Sequence, residues 1–342
     1  MRKDINIGIV GLGRLGKVHA GNLAYSVPNV NLLAACSVVP SELEYAEKDL
    51  GVERLYTDYT EMLEDDDIDA VVIVSPSHLH CQQVIQAFEA GKHVFVEKPL
   101  GVSLEEMEEV KKVVESRPDQ VFMLGFMRRF DPSYLYAKEL VDQGEIGDIT
   151  LIRCYGIDPH AGMESFVEFA KKSSSGGLFL DMAIHDIDLI RWYTGGEIKR
   201  VWALGNNIAY PILDELGDLE TGAALCELDG NKIGIIVSGR NSAHGYHVET
   251  EIIGTKGSLR VANLQEKNLV TILNENGSVR PTSQNFPERF KEAFVNEMKA
   301  FVSYIQDEIP STITPDDGIY STMAALACGE SLKTGSIVDV TK

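Results

Sequence analysis

Cysteine is scarce and unpatterned in this chain of 342 residues. There are five, at positions 36, 81, 154, 226 and 328, an odd number with no CxxC pair. That spacing excludes a zinc ribbon and argues against a disulfide framework. Basic residues are in deficit, 31 against 52 acidic, for a formal net charge of −21. Such a balance repels phosphate backbones and anionic membranes, so neither nucleic acid nor a membrane is expected as a partner. No apolar run approaches the roughly 20 residues that span a bilayer. Met1-Arg2-Lys3-Asp4 runs straight into a strand-like segment, without the apolar stretch of a signal peptide. Internal repeats and low-complexity tracts are lacking. HExxH and paired His/Cys spacings are lacking too, so no metal ligand is assigned and a metal-dependent hydrolase is not expected. What remains, with 44% apolar and 24% charged residues, is an ordinary globular composition of about two domains. The expectation is a soluble cytoplasmic protein with reduced thiols.

The first 125 residues alternate strand-like and helix-like segments. Runs at 5–10, 30–36, 70–74, 93–97 and 121–125 read as strands, and 17–25, 42–50, 61–64, 79–90 and 103–115 as helices. Ala70-Val71-Val72-Ile73-Val74 is apolar throughout, as in a strand buried on both faces. Ser103 and Glu106 form a capping box. This alternation builds βαβ units, and right-handed crossovers place helices on both faces of a parallel sheet. A doubly wound α/β domain is therefore predicted over 1–125. After Gly125 the texture changes. A helix over 131–143, a strand over 148–155 and a helix over 177–193 come first. Strands near 201–208, 221–228, 232–240, 248–254 and 257–262 follow, with a weaker one at 269–273, and helices over 287–306 and 316–333 close the chain. Strands following strands predict a second α/β domain, 126–342, on a mostly antiparallel sheet.

Gly11-x-Gly13-x-x-Gly16 lies between a predicted strand and a predicted helix, where the motif has a mechanism. The first glycine permits the tight turn, the second lets backbone amides approach a pyrophosphate, and the third allows close helix–strand packing. The helix N-terminus offers free N–H groups and a positive dipole end. An acidic residue is expected some 20 residues on, for the ribose 2′-hydroxyl. Cys36-Ser37 stands there instead, so the carboxylate is missing. Ser37 suits a 2′-hydroxyl or a 2′-phosphate. Val38, Val39 and Pro40 supply no cation for a phosphate, and Arg14 is the only near candidate. NAD is the expected cofactor, with NADP left open.

Glu97-Lys98-Pro99 closes the strand 93–97. Ligands of open α/β sheets sit beyond the carboxyl ends of the strands, so Lys98 can point at a substrate. The proline that follows argues for a fixed geometry and admits a cis bond. With Gly-Leu-Gly-Arg-Leu-Gly at 11–16, Ser-Pro-Ser-His-Leu-His at 75–80, Glu-Lys-Pro at 97–99 and Gly176-Gly177…Asp181-x-x-x-His185-x-x-Asp188 in order, the chain resembles the Gfo/Idh/MocA oxidoreductases over nearly its whole length. Gly125-Phe126-Met127-Arg128-Arg129-Phe130-Asp131 resembles the inositol 2-dehydrogenase branch. The resemblance implies a Rossmann domain and an α/β domain with a large open sheet, whose outer face commonly builds a homotetramer. It also implies that Lys98, Asp181 and His185 are the catalytic trio. The missing acid at Ser37 is the one departure from the pattern.

Oxidising a secondary alcohol removes a hydride, which a nicotinamide accepts, and a proton, for which histidine is the natural base. Asp181 and His185 are spaced i, i+4 on one predicted helix face, with Asp188 on the same stripe. The plainer alternative is a structural Asp–His pair. His185 is assigned as general base, Asp181 as the partner of another hydroxyl, and Lys98 as donor to the substrate oxygen. Partners for the remaining hydroxyls of a polyol such as myo- or scyllo-inositol are Arg128, Asp158, His160 and Tyr246. Expected cofactor contacts are Gly11, Gly13, Arg14, Leu15, Gly16, Ser37, Ser75, Pro76, Ser77, His80, Glu97, Lys98 and Met127. An aldose or sugar-nucleotide dehydrogenase, or a non-catalytic dinucleotide-binding regulator, stays open on the same fold. Trp192 and Tyr193 read as packing, and Phe290, Phe294, Met298 and Phe301 as a core or interface stripe.

Overall fold

A computed structural model describes residues 4–171, 176–261, 266–275 and 277–341. The apolar runs of the first 125 residues pair side by side. They form β1 (Ile5–Val10), β2 (Val30–Cys36), β3 (Arg54–Tyr56), β4 (Ala70–Ile73), β5 (His93–Glu97) and β6 (Phe122–Gly125). The order is β3-β2-β1-β4-β5-β6 and every pair is parallel. Crossovers carry α1 (Arg14–Tyr25), α2 (Pro40–Leu50), α3 (Tyr59–Leu63), α4 (His80–Glu89) and α5 (Leu104–Glu115). Side chains of β4 and β5 are buried on both faces, as the unbroken β-branched run requires. Strand order reverses between β1 and β4, where a doubly wound sheet opens its ligand crevice. β3 is the strand that the hydrophobic pattern does not signal: Arg54-Leu55-Tyr56 is too short to show a period.

Further along run α6 (Pro132–Asp142), β7 (Ile149–Pro159), α7 (Met163–Ala170), α8 (Leu178–Asp181), α9 (Ile184–Thr194), β8 (Ile198–Asn206), α10 (Ile212–Leu216), β9 (Thr221–Leu228), β10 (Ile233–Ser242), β11 (His247–Gly254) and β12 (Ser258–Val261). A small hairpin, β13 (Ile272–Asn274) and β14 (Gly277–Val279), precedes α11 (Phe286–Arg289), α12 (Lys291–Gln306), α13 (Pro315–Thr334) and β15 (Val338–Asp339). The second sheet runs β12-β11-β7-β10-β9-β8-β15, and β7–β10 is its only parallel pair among the described residues. Burial alternates along β9. One face packs under α8 and α9: an added Cβ at Gly222 would lie 2.9 Å from Leu178 Cδ2. The other face exposes Trp202, Leu204, Leu225 and Ile233. Residue 262, the end of the strand expected over 257–262, lies outside the described residues.

The chain divides into two compact units. The first is residues 1–130 with 292–319, and the second is 131–291 with 320–342. Most of α12 therefore belongs to the first unit, and its apolar stripe is core there. Phe294 meets the His19 ring edge-on at 5.6 Å, and Phe301 lies 5.9 Å from Phe95. Among the described residues no helix is long and apolar enough to cross a membrane.

Two helices expected as continuous are broken. The segment expected over 177–193 divides into α8 and α9 at Met182 (φ −106°, ψ −55°), where Met182 and Ala183 N–H both turn to Leu178 O. Asp181 and His185 thus close one helix and open the next, instead of sharing the face of a single helix. The segment expected over 287–306 divides into α11 and α12 at Phe290 (φ −111°, ψ 22°).

Asp131 shows how one side chain secures the start of α6. Its Oδ1 accepts from the N–H groups of Ser133 (3.0 Å) and Tyr134 (3.3 Å), and Oδ2 accepts from Arg289 Nη1 at 2.7 Å. Both partners are buried, so removing the carboxylate strands a desolvated guanidinium. Asp131→Ala is expected to cost about 3–5 kcal/mol, read as a lowered melting temperature by circular dichroism. Asp131→Asn, which keeps the cap, is expected to lose less.

Candidate active site

The glycine turn is built by close approach. Gly11 has φ +87°, and a Cβ there would lie 2.5 Å from Val74 O. A Cβ on Gly16 would lie 2.0 Å from Gly11 O, so α1 can begin against the β1 turn only with glycine at that place. Gly13 differs: nothing stands within 4 Å of an added Cβ. It is the N-cap of α1, without a side-chain cap, and the first turn carries no acidic residue. An open backbone cradle at an uncompensated helix N-terminus fits a dinucleotide pyrophosphate. Arg14 is exposed and Leu15 half-buried at that turn.

At the end of β2 the structure adds a residue that the motif does not name. Ser37 Oγ–H donates to Glu42 Oε2 at 2.6 Å, and Ser37 Oγ accepts from Val39 N–H at 3.1 Å. A carboxylate from the first turn of α2 thus stands beside the strand end, where the strand itself has none. The contact comes from the turn and not from strand spacing, so the motif's count of about 20 residues passes over it.

Beyond β4 and β5, His80 ties two turns together. Its Nδ1 lies 2.8 Å from Pro99 O and its Nε2 2.8 Å from Ser75 O. Burial lowers its pKa, partly opposed by those two carbonyls. Ser75 Oγ–H donates to Gln83 Oε1. Ser77 opens a single 3₁₀ turn after Pro76. The Lys98–Pro99 peptide is cis. Lys98 N–H donates to Glu97 Oε2 at 3.1 Å, and the other oxygen, Oε1, lies 2.7 Å from His19 Nε2. His19 on α1 is therefore joined to the turn that carries Lys98.

Glu297 of α12 completes this buried cluster, its Oε1 4.0 Å from His19 Nε2. Among the described residues, neither of its carboxylate oxygens has a hydrogen-bond partner. Burial and the nearby Glu97 charge hold its pKa well above the ordinary carboxylate range. Two ligands of one zinc ion stand about 3.3 Å apart, given metal–ligand bonds near 2.0–2.2 Å. The 2.7 Å between His19 and Glu97 is instead a hydrogen-bond distance. Nothing in the spacing of residues 19, 97 and 297 signals their meeting.

In the second unit, Asp181 Oδ2 accepts from Arg240 Nη2 at 2.8 Å. Arg240 ends β10 buried, 3.6 Å from Asp218 and stacked 3.7 Å over the Phe166 ring. It is the anchor of Asp181 that sequence reading overlooks, since it lies 59 residues away in an unremarkable strand. His185, Asp186 and Asp188 are buried on α9. Asp158 lies in β7, and His160 Nδ1 stands 3.2 Å from Ser242 O. Tyr246 is buried edge-on to Phe290 at 6.2 Å. Met127 and Arg128 are buried in the short turn after β6, in the first unit with Lys98.

Comparison with known proteins decides the family. Residues 5–126 match the model of the oxidoreductase family with an NAD-binding Rossmann fold, and 134–260 match the GFO/IDH/MocA C-terminal domain. The chain belongs to the Gfo/Idh/MocA oxidoreductase family. It is 34% identical to the scyllo-inositol 2-dehydrogenase (NAD(+)) of Bacillus subtilis (strain 168) over 340 residues, 99% of this chain and 97% of that protein. It is 59% identical to the scyllo-inositol dehydrogenase of Lactobacillus casei, crystallised with NAD(H) and scyllo-inositol (TM-score 0.97, covering 99% of this chain and 100% of the other). The myo-inositol 2-dehydrogenase of Lactobacillus plantarum is 45% identical (TM-score 0.97, covering 99% and 100%). The chain is thus an oxidoreductase with an NAD-binding Rossmann domain, and Gly11, Gly13 and Gly16 shape the turn between β1 and α1.

Two consequences can be measured. Gly13→Ala is expected to melt near the native temperature yet to weaken NADH binding about tenfold or more, whereas Gly16→Ala loses stability itself; calorimetric melts and fluorescence titration separate the two. The second concerns Glu297, which stays protonated in the folded state above the pH at which the unfolded chain releases that proton. The unfolded state then binds fewer protons, so stability falls as pH rises from the ordinary carboxylate pKa toward the raised one. Glu297→Gln removes that titration. Its melting temperature should equal or exceed the native one at pH 8, with a wider gap at pH 8 than at pH 5.

Proposed function

We propose that this protein oxidises one secondary alcohol of a cyclic polyol, scyllo- or myo-inositol, to the ketone, with NAD as hydride acceptor. The observation that carries the reading is full-length similarity to inositol dehydrogenases in a chain whose sequence carries Lys98, Asp181, His185 and the open glycine turn. The bound nicotinamide supplies the two-electron acceptor for the hydride leaving carbon. His185 takes the hydroxyl proton as the carbonyl forms, which requires the neutral imidazole. Lys98 stabilises the developing alkoxide by donating to that oxygen. Asp181, held by Arg240, pairs with a neighbouring hydroxyl. Arg128, Asp158, His160 and Tyr246 are assigned the remaining hydroxyls, and an epimer that fails to pair with one of them is disfavoured. We assign the second domain's exposed sheet face, with Trp202, Leu204, Leu225 and Ile233, as the surface of a homotetramer. Five buried free thiols support a cytoplasmic setting.

His185→Ala is expected to lower kcat about 10²–10⁴-fold, followed by nicotinamide absorbance with NAD and scyllo- or myo-inositol. Near-native turnover of this variant at every pH overturns the role of His185. A panel adding glucose and xylose tests the substrate: reduction of NAD by a sugar and by neither inositol overturns the polyol reading.

A further inference from the structure

We infer that Glu42 sets the preference for NAD over NADP: its carboxylate, braced at the end of β2 by Ser37, accepts the 2′-hydroxyl of the adenosine ribose and repels a 2′-phosphate there. The inference rests on NAD binding at the glycine turn, as proposed above. In a βαβ dinucleotide fold the ribose meets the carboxyl end of the second strand. Polar groups at that end of this chain are already engaged. Ser37 N–H donates to Tyr56 O at 3.1 Å. The Ser37 hydroxyl proton goes to Glu42 Oε2, and Val39 N–H goes to Ser37 Oγ. Ser37 therefore has no proton to offer a phosphate, and what the strand end presents is the carboxylate that Ser37 holds in place.

The acidic side chains of α2 and α3 carry the same sign. Residues 18–47 contain no lysine or arginine, while Glu42, Glu44 and Glu47 lie on α2. Burial, and after it the fields of Asp58 and Glu61, push the Cys36 thiol up to about 11. Cations on α1 are Arg14 and Lys17, and Lys17 Nζ lies 4.8 Å over the Tyr45 ring. A 2′-phosphate brings close to two negative charges into this field, whereas a 2′-hydroxyl brings a proton for a carboxylate to accept. Ser37 engages Oε2, so Oε1 is the oxygen assigned to the ribose.

The test is equilibrium binding of NADH and NADPH, read by nicotinamide fluorescence without substrate, to native protein, Glu42→Gln and Ser37→Ala, with melting temperatures as a control for folding. Native protein is expected to prefer NADH. Glu42→Gln should reduce the NADH/NADPH affinity ratio about tenfold or more, the worth of one charge-assisted hydrogen bond. Ser37→Ala, which releases the brace, should move the ratio the same way by a smaller factor and decides the question if Glu42→Gln does not fold. Ratios within twofold of native in the folded variants overturn the inference, as does native protein that binds both cofactors equally. Native protein that binds neither removes the dehydrogenase reading with it. Unchanged discrimination beside intact inositol oxidation removes this inference alone.

Discussion

The hydrogen bond between His19 and Glu97 is the constraint that ties α1 to the end of β5 in the first unit. His19 belongs to the helix that starts at the glycine turn, and Glu97 precedes the lysine at the end of β5. One buried contact therefore relates the glycine turn to the place where Lys98 begins. His80 adds a second brace between the Ser75 and Pro99 turns. Each brace is polar and buried, where an unmatched group is costly, so the spacing between turns is held more tightly than apolar packing alone would hold it.

What the sequence reveals follows from what leaves a local pattern. The parallel sheet is legible because β1, β2, β4, β5 and β6 are apolar runs bounded by helices. The glycine turn is legible because only glycine tolerates the approach of α1 to the Gly11 carbonyl. Contacts between segments far apart leave no such trace. Arg240 under Asp181, Glu297 beneath His19, and Glu42 at Ser37 each depend on tertiary placement or on turn geometry. The break at Met182 is hidden for a related reason: the residues around it suit a helix individually, and the interruption comes from both amides turning to Leu178 O.

Charge is distributed to match these roles. The chain's surplus of acid lies largely at the surface, but Glu97, Asp131 and Asp218 are buried beside His19, Arg289 and Arg240. Glu297 differs from them: its carboxylate oxygens have no hydrogen-bond partner among the described residues, and burial holds its pKa well above the ordinary range. The second unit holds Asp181 by a guanidinium that also stacks on Phe166, so that carboxylate's place is set by both charge and packing.

The return of α12 to the first unit has a consequence for synthesis on the ribosome. The early strands and helices emerge long before Phe294 and Phe301, the rings that pack beside His19 and Phe95. Until some 300 residues have been translated, the nascent Rossmann sheet carries an unfilled hydrophobic face with a histidine and a carboxylate inside it. The intervening segment is made meanwhile, so closure of the earliest-made part waits on one of the last.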